Sequence, residues 1–118
     1  MLRLCLLITL THLALLLLLS SFPAGVGAVG VTELNMQNLD MVLKSAQVVF
    51  VAFCADWCPF SRKLKPVFEE AATRWHQENP TTSVVWALVD SVAQGDVAEK
   101  YFVNKYPTMK VSCVVPGE

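Results

Sequence analysis

At 118 residues the chain has room for one domain. Nine Lys and Arg against ten Asp and Glu give a net charge of −1, and no basic stripe appears. That balance excludes nucleic acid as the expected partner, because phosphate binding needs clustered positive charge.

The first segment is read as targeting rather than fold. Arg3 is the only charge before Glu33, and Leu4 to Leu19 is a nearly unbroken apolar run. Ser20, Ser21, Phe22 and Pro23 end it, and the small residues Ala24 to Ala28 follow. A positive start, a short apolar core and a Val-x-Ala exit make residues 1–28 a secretory signal peptide, cut after Ala28. A membrane anchor is the alternative, but crossing a bilayer takes about 20 apolar residues. This run is shorter and is diluted by Thr9, Thr11 and His12. With the signal removed, no membrane contact is expected, and residues 29–118 remain as one small, slightly acidic domain.

Cysteine usage agrees with a secretory route. Cys5 leaves with the signal, and Cys54, Cys58 and Cys113 stay. An odd number in an oxidising compartment leaves at least one thiol free to react or to join another chain. Asn79-Pro80-Thr81 carries proline in the forbidden middle position, so no N-glycan is expected.

In chain order, Val31 to Leu34 is a candidate edge strand, and Leu39, Val42, Leu43 and Ala46 recur at helical spacing. Val48 to Cys54 (VVFVAFC) is a continuous apolar run, as expected of a central strand buried on both faces. A long helix is predicted from Pro59 to Gln77, with Phe60, Leu64, Val67, Phe68, Ala71 and Trp75 on its buried face. Pro59 suits the first turn, and Pro66 falls inside the helix. Ser83 to Val89 is a second buried strand, and Asp96 is expected to cap a helix to about Asn104. Lys105-Tyr106-Pro107 leads into a third strand, Thr108 to Val115. Strands alternating with helices define an α/β fold with a parallel or mixed sheet.

Trp57-Cys58-Pro59-Phe60-Ser61 joins a buried strand to a helix N-terminus. A thiol there receives unpaired N–H groups and the positive end of the helix dipole, both of which favour thiolate. Cys58 is therefore the reactive candidate, against the plainer reading of a buried structural cysteine.

These segments, together with Lys65-Pro66-Val67-Phe68-Glu69-Glu70, Val89-Asp90 and Lys105-Tyr106-Pro107-Thr108, resemble thioredoxin domains of the protein disulfide isomerase family. The resemblance covers about residues 32–111. It implies a thioredoxin-like fold with Cys58 as nucleophile and Ser61 where the second cysteine of a Cys-x-x-Cys pair normally stands. It also implies a cis bond before Pro107. Trp57, Tyr106, Pro107 and Thr108 then become the residues that present backbone to a substrate.

The serine changes the expected chemistry. A second thiol releases a mixed disulfide from within, and Ser61 can only hydrogen-bond. Ala52 stands where the family often has a buried acid, and Cys54 replaces a common aromatic residue. Cys54 is either a small apolar core residue or a substitute resolving thiol. The family domain also continues into another strand and a final helix that Ser112 to Glu118 does not resemble. An uncovered sheet edge would favour self-association.

The resemblance implies an endoplasmic reticulum thiol-binding protein that holds client proteins through a mixed disulfide. Turnover as an isomerase would be weak at most. Expected partners are secretory clients with exposed thiols and oxidoreductin-type oxidases. No cofactor or metal is implied, and the chain carries no KDEL-like signal. A weak oxidoreductase and a truncated form without independent activity are the alternative readings.

Overall fold

The structure, a computed structural model, describes residues 30–114. The expected signal peptide at 1–28 lies outside the described residues. Seven elements follow one another: β1 (Val31–Glu33), α1 (Leu39–Ser45), β2 (Val48–Cys54), α2 (Pro59–Glu78), β3 (Val84–Asp90), α3 (Gly95–Lys100) and β4 (Thr108–Cys113). They build a four-stranded sheet in the order β1-β3-β2-β4. β3 pairs in parallel with both β1 and β2, while β4 runs antiparallel to β2. The expected mixed sheet is present.

β2 shows why a continuous apolar run makes a central strand. Successive side chains alternate between faces, so Val49, Val51 and Phe53 enter one core with Leu39 and Val42 of α1 and Val97 and Ala98 of α3. Ala52 and Cys54 enter the other with Phe68 of α2 and Leu88 of β3, and Phe50 packs against its margin. A polar residue at Val49 or anywhere from Val51 to Cys54 would be stranded in one core or the other. Aromatic contacts knit the α2 side, where the Trp86 ring lies 5.2 Å from Phe50 and 5.1 Å from Phe68.

Two local expectations change. α2 does not bury the stripe that starts at Phe60: Phe60 and Val67 are 70% and 61% exposed. It buries Ser61, Phe68 and Ala72, with Leu64 half-buried, a face that keeps Leu64 and Phe68 but is turned by about 55°. The strand-to-helix turn sets this phase, since it points Ser61 inward to accept the backbone N–H of Ala55 at 3.2 Å. Apolar periodicity along a helix cannot see that tie. Helix α3 is also shorter than expected and starts after Gln94, so Asp96 lies in its first turn. Asp96 accepts from Val97 N at 2.8 Å, within the helix it was expected to cap. After Tyr101 the chain turns through Phe102 at φ 55°, a left-handed conformation that ends the helix.

The strand order decides where chemistry can sit. The C-terminal end of β2 delivers the chain to Cys58 from the middle of the sheet. Because β4 is antiparallel to β2, its first residue, Thr108, pairs with Phe53 near that same end. The segment before β4 is thereby carried to the start of α2.

Candidate thiol site at the start of helix α2

Cys58 is the N-cap of α2, with φ −84° and ψ 119°, and Pro59 opens the helix. Its backbone N–H donates to Ala55 O at 3.0 Å, and its carbonyl accepts from Arg62 N at 3.1 Å. The cap side chain makes no hydrogen bond to the helix, though its position places it beside the unpaired N–H groups of the first turn. The N–H of Ser61 is the main cause that lowers the Cys58 pKa below its ordinary value. Burial opposes it, while the Phe60 N–H, the Ser61 hydroxyl and the Arg62 charge add to it. Donors aimed at sulfur stabilise thiolate, and the thiolate is the nucleophile.

The second half of the site comes from the segment before β4. The Tyr106–Pro107 bond is cis, and the Tyr106 carbonyl accepts the Cys58 thiol at 3.5 Å. Trp57, 67% exposed, meets the Tyr106 ring edge-on at a centroid distance of 6.0 Å. Tyr106, Pro107 and Thr108 are half-buried, and Thr108 Oγ1 donates to Lys105 O at 2.6 Å. All six residues singled out in the sequence, Trp57, Cys58, Ser61, Tyr106, Pro107 and Thr108, therefore gather at one end of the sheet. Cys58 is only 6% exposed, so its sulfur is largely covered.

The other two thiols in the described residues are different. Cys54 is fully buried at the end of β2, and burial pushes its thiol pKa up. Cys113 is exposed on β4 and pairs with Val48, six β2 positions away from Cys54, which is about 20 Å along a strand. It cannot meet Cys58 within one molecule.

Two contacts were not legible in the sequence. Lys65 forms an ion pair with Asp56, and that hydrogen bond is the first cause of a raised Lys65 pKa. Arg62 Nη1 donates to Asp56 O at 3.0 Å, so the loop before Cys58 is tied to α2 from outside. Asp56 is 67% exposed, which limits the pair to about 1 kcal/mol at most. The spacing of nine between Asp56 and Lys65 crosses a turn, where no periodic rule applies.

A mixed sheet with helices on both faces, a thiol capping the second helix and a cis-proline segment opposite it together define a thioredoxin-fold protein. The chain belongs to the thioredoxin family, whose model matches residues 30–113. It is similar to endoplasmic reticulum resident protein 44.2 of Caenorhabditis elegans, with 73% identity over 79 residues, 67% of this chain and 19% of that protein. Human protein disulfide-isomerase A4 is 36% identical over 78 residues, 66% of this chain and 12% of the relative. Among solved structures, the zinc-bound form of human ERp44 superposes with a TM-score of 0.68 at 42% identity, covering 71% of this chain and 23% of the other. The chain spans about a fifth of the length of the nematode relative.

Proposed function

We propose that this chain is an endoplasmic reticulum protein that holds client proteins through a mixed disulfide at Cys58. In this reading residues 1–28 direct the chain into the lumen, and residues 29–118 form the thiol-binding domain. The similarity to proteins named as endoplasmic reticulum residents supports the compartment. The observation that carries the mechanism is the pairing of a thiolate-favouring Cys58 with a buried hydroxyl, Ser61, where a resolving thiol would act.

The step is an exchange without net oxidation. The Cys58 thiolate attacks a client disulfide, a bond forms between Cys58 and one client sulfur, and the other leaves as thiolate and takes up a proton. A client thiol is held instead when Cys58 already carries a small thiol, such as glutathione, which leaves. Trp57 and the Tyr106–Thr108 segment align the client backbone. Ser61 steadies the sulfur but cannot displace the client, so release waits for an external thiol or a second client thiol.

Expression of the full chain in secretory cells tests this. Wild type should give reducible adducts on non-reducing gels, Cys58→Ser should abolish them, and Ser61→Cys should thin them by restoring internal release. Adducts that survive Cys58→Ser unchanged would overturn the proposal.

A further inference from the structure

Tyr106, whose carbonyl meets the Cys58 thiol, also borders an open hollow of about 370 Å³. The other walls come from Ser91, from α3 and from the turn that follows it. Gly95 and Ala98 give the α3 wall little bulk, and a Cβ added at Gly95 would meet nothing within 4 Å.

Three groups in the lining stand without a partner. Ser91 follows β3 and is tied by its N–H to Cys54 O at 2.8 Å. It is 7% exposed, and its Oγ has no hydrogen-bond partner among the described residues. A buried hydroxyl left unpaired is costly. Glu99 is the one charged residue of the lining, and among the described residues it forms no ion pair. Phe102 keeps its ring 89% exposed at φ 55°, a conformation that bulky residues rarely adopt. Its N–H donates to Glu99 O and the Val103 N–H to Ala98 O, both at 2.9 Å, which holds the turn in place.

The three groups ask for one chemistry. A carboxylate attracts a cation, a hydroxyl oxygen accepts an N–H, and the face of an aromatic ring attracts a cation. An apolar side chain would use Phe102 alone, and an acidic one would meet the charge of Glu99. A guanidinium carries several N–H donors and the positive charge in a plane that stacks on a ring, which an ammonium does not.

We propose that this hollow is a client-specificity subsite for a basic side chain, arginine above lysine, carried within two residues of the client cysteine. Glu99 and Phe102 make the selection, and Ser91 adds a buried acceptor. The inference rests on the proposed function, since it names which clients the Cys58 site prefers.

The test mixes the full chain with short peptides whose single cysteine carries thionitrobenzoate. The Cys58 thiolate attacks the peptide sulfur, a Cys58–peptide disulfide forms, and thionitrobenzoate leaves with the electron pair of the broken bond. Arginine, lysine, norleucine or glutamate is placed in turn at each of the two positions on either side of the cysteine. The adduct at Cys58 is followed by mass spectrometry, and each rate is divided by that of 2-mercaptoethanol with the same peptide, which removes differences in the peptides themselves. At one position arginine should exceed norleucine by about fivefold to tenfold, the sum of a ring–cation contact and an exposed ion pair. Glu99→Gln and Phe102→Ala, both at exposed positions, should each shrink that ratio, and so should Ser91→Ala. Glu99→Lys should turn the preference toward glutamate. Near-UV circular dichroism identifies the variants that keep the fold.

Equal rates for arginine and norleucine at every position overturn the inference, and faster norleucine makes the hollow an apolar pocket and overturns it too. So does an arginine advantage that is the same at all positions or persists in Glu99→Gln, because it is then a general attraction to an acidic domain. In each of these cases Cys58 still takes the peptides and the proposed function stands. Absence of any Cys58 adduct with every peptide sinks the proposed function and the inference with it.

Discussion

The Cys58 thiol donates to the Tyr106 carbonyl at 3.5 Å across 48 positions of chain. The contact favours the protonated sulfur, while the first-turn donors of α2 favour the thiolate, and the net effect lowers the pKa. Deprotonation therefore frees the Tyr106 carbonyl for an incoming backbone N–H at the moment the sulfur becomes a nucleophile.

Selective labelling at low pH follows from that balance. With limiting reagent at pH 6, Cys58 should be modified ahead of exposed Cys113, and Cys54 only after denaturation. The Cys58 rate should climb with the thiolate fraction and level off with a midpoint below that of an ordinary cysteine. Mapping by mass spectrometry checks the order, and prior labelling of Cys113 or Cys54 in the folded chain would remove Cys58 from its role.

The phase of α2 can be read from stability. Phe68 is 5% exposed between β2 and β3, so Phe68→Ala should cost about 3–5 kcal/mol. Phe60→Ala and Val67→Ala remove residues that are mostly in solvent and should stay within about 0.5 kcal/mol. Urea denaturation measures all three. Equal losses at Phe60 and Phe68 would restore the stripe expected from apolar periodicity.

Turnover depends on position 61. The wild-type chain should leave insulin disulfides almost untouched at catalytic concentrations, because a mixed disulfide at Cys58 has no internal exit. Ser61→Cys places a thiol three residues after Cys58 in the first turn of α2 and should raise the insulin reduction rate by at least about tenfold. Activity in wild type that disappears in Cys54→Ser would instead make Cys54 the resolving thiol.

The elements themselves were legible because each rests on local rules. VVFVAFC has no polar position to offer solvent, and β2 lies between two cores. Pro59 suits the first helical turn, which puts Cys58 just before it at the cap. The buried face of α2 was less legible, since Phe60, Leu64 and Val67 satisfy the helical period as well as Ser61, Leu64 and Phe68 do. A serine gives no hydrophobic signal, yet its bond to Ala55 N selects the phase.

By itself, then, the sequence determined the α/β order, the thiol at a helix start and the hydroxyl in place of a second thiol, all properties of neighbouring residues. Only the tertiary structure decided that β4 runs antiparallel beside β2, which brings Tyr106 to Cys58. It also decided that Ser61 turns inward to accept the Ala55 N–H, a meeting between the end of a strand and the start of a helix. Such contacts form when apolar strands pair and bury their faces, and that long-range packing leaves no period or spacing in the chain to announce it.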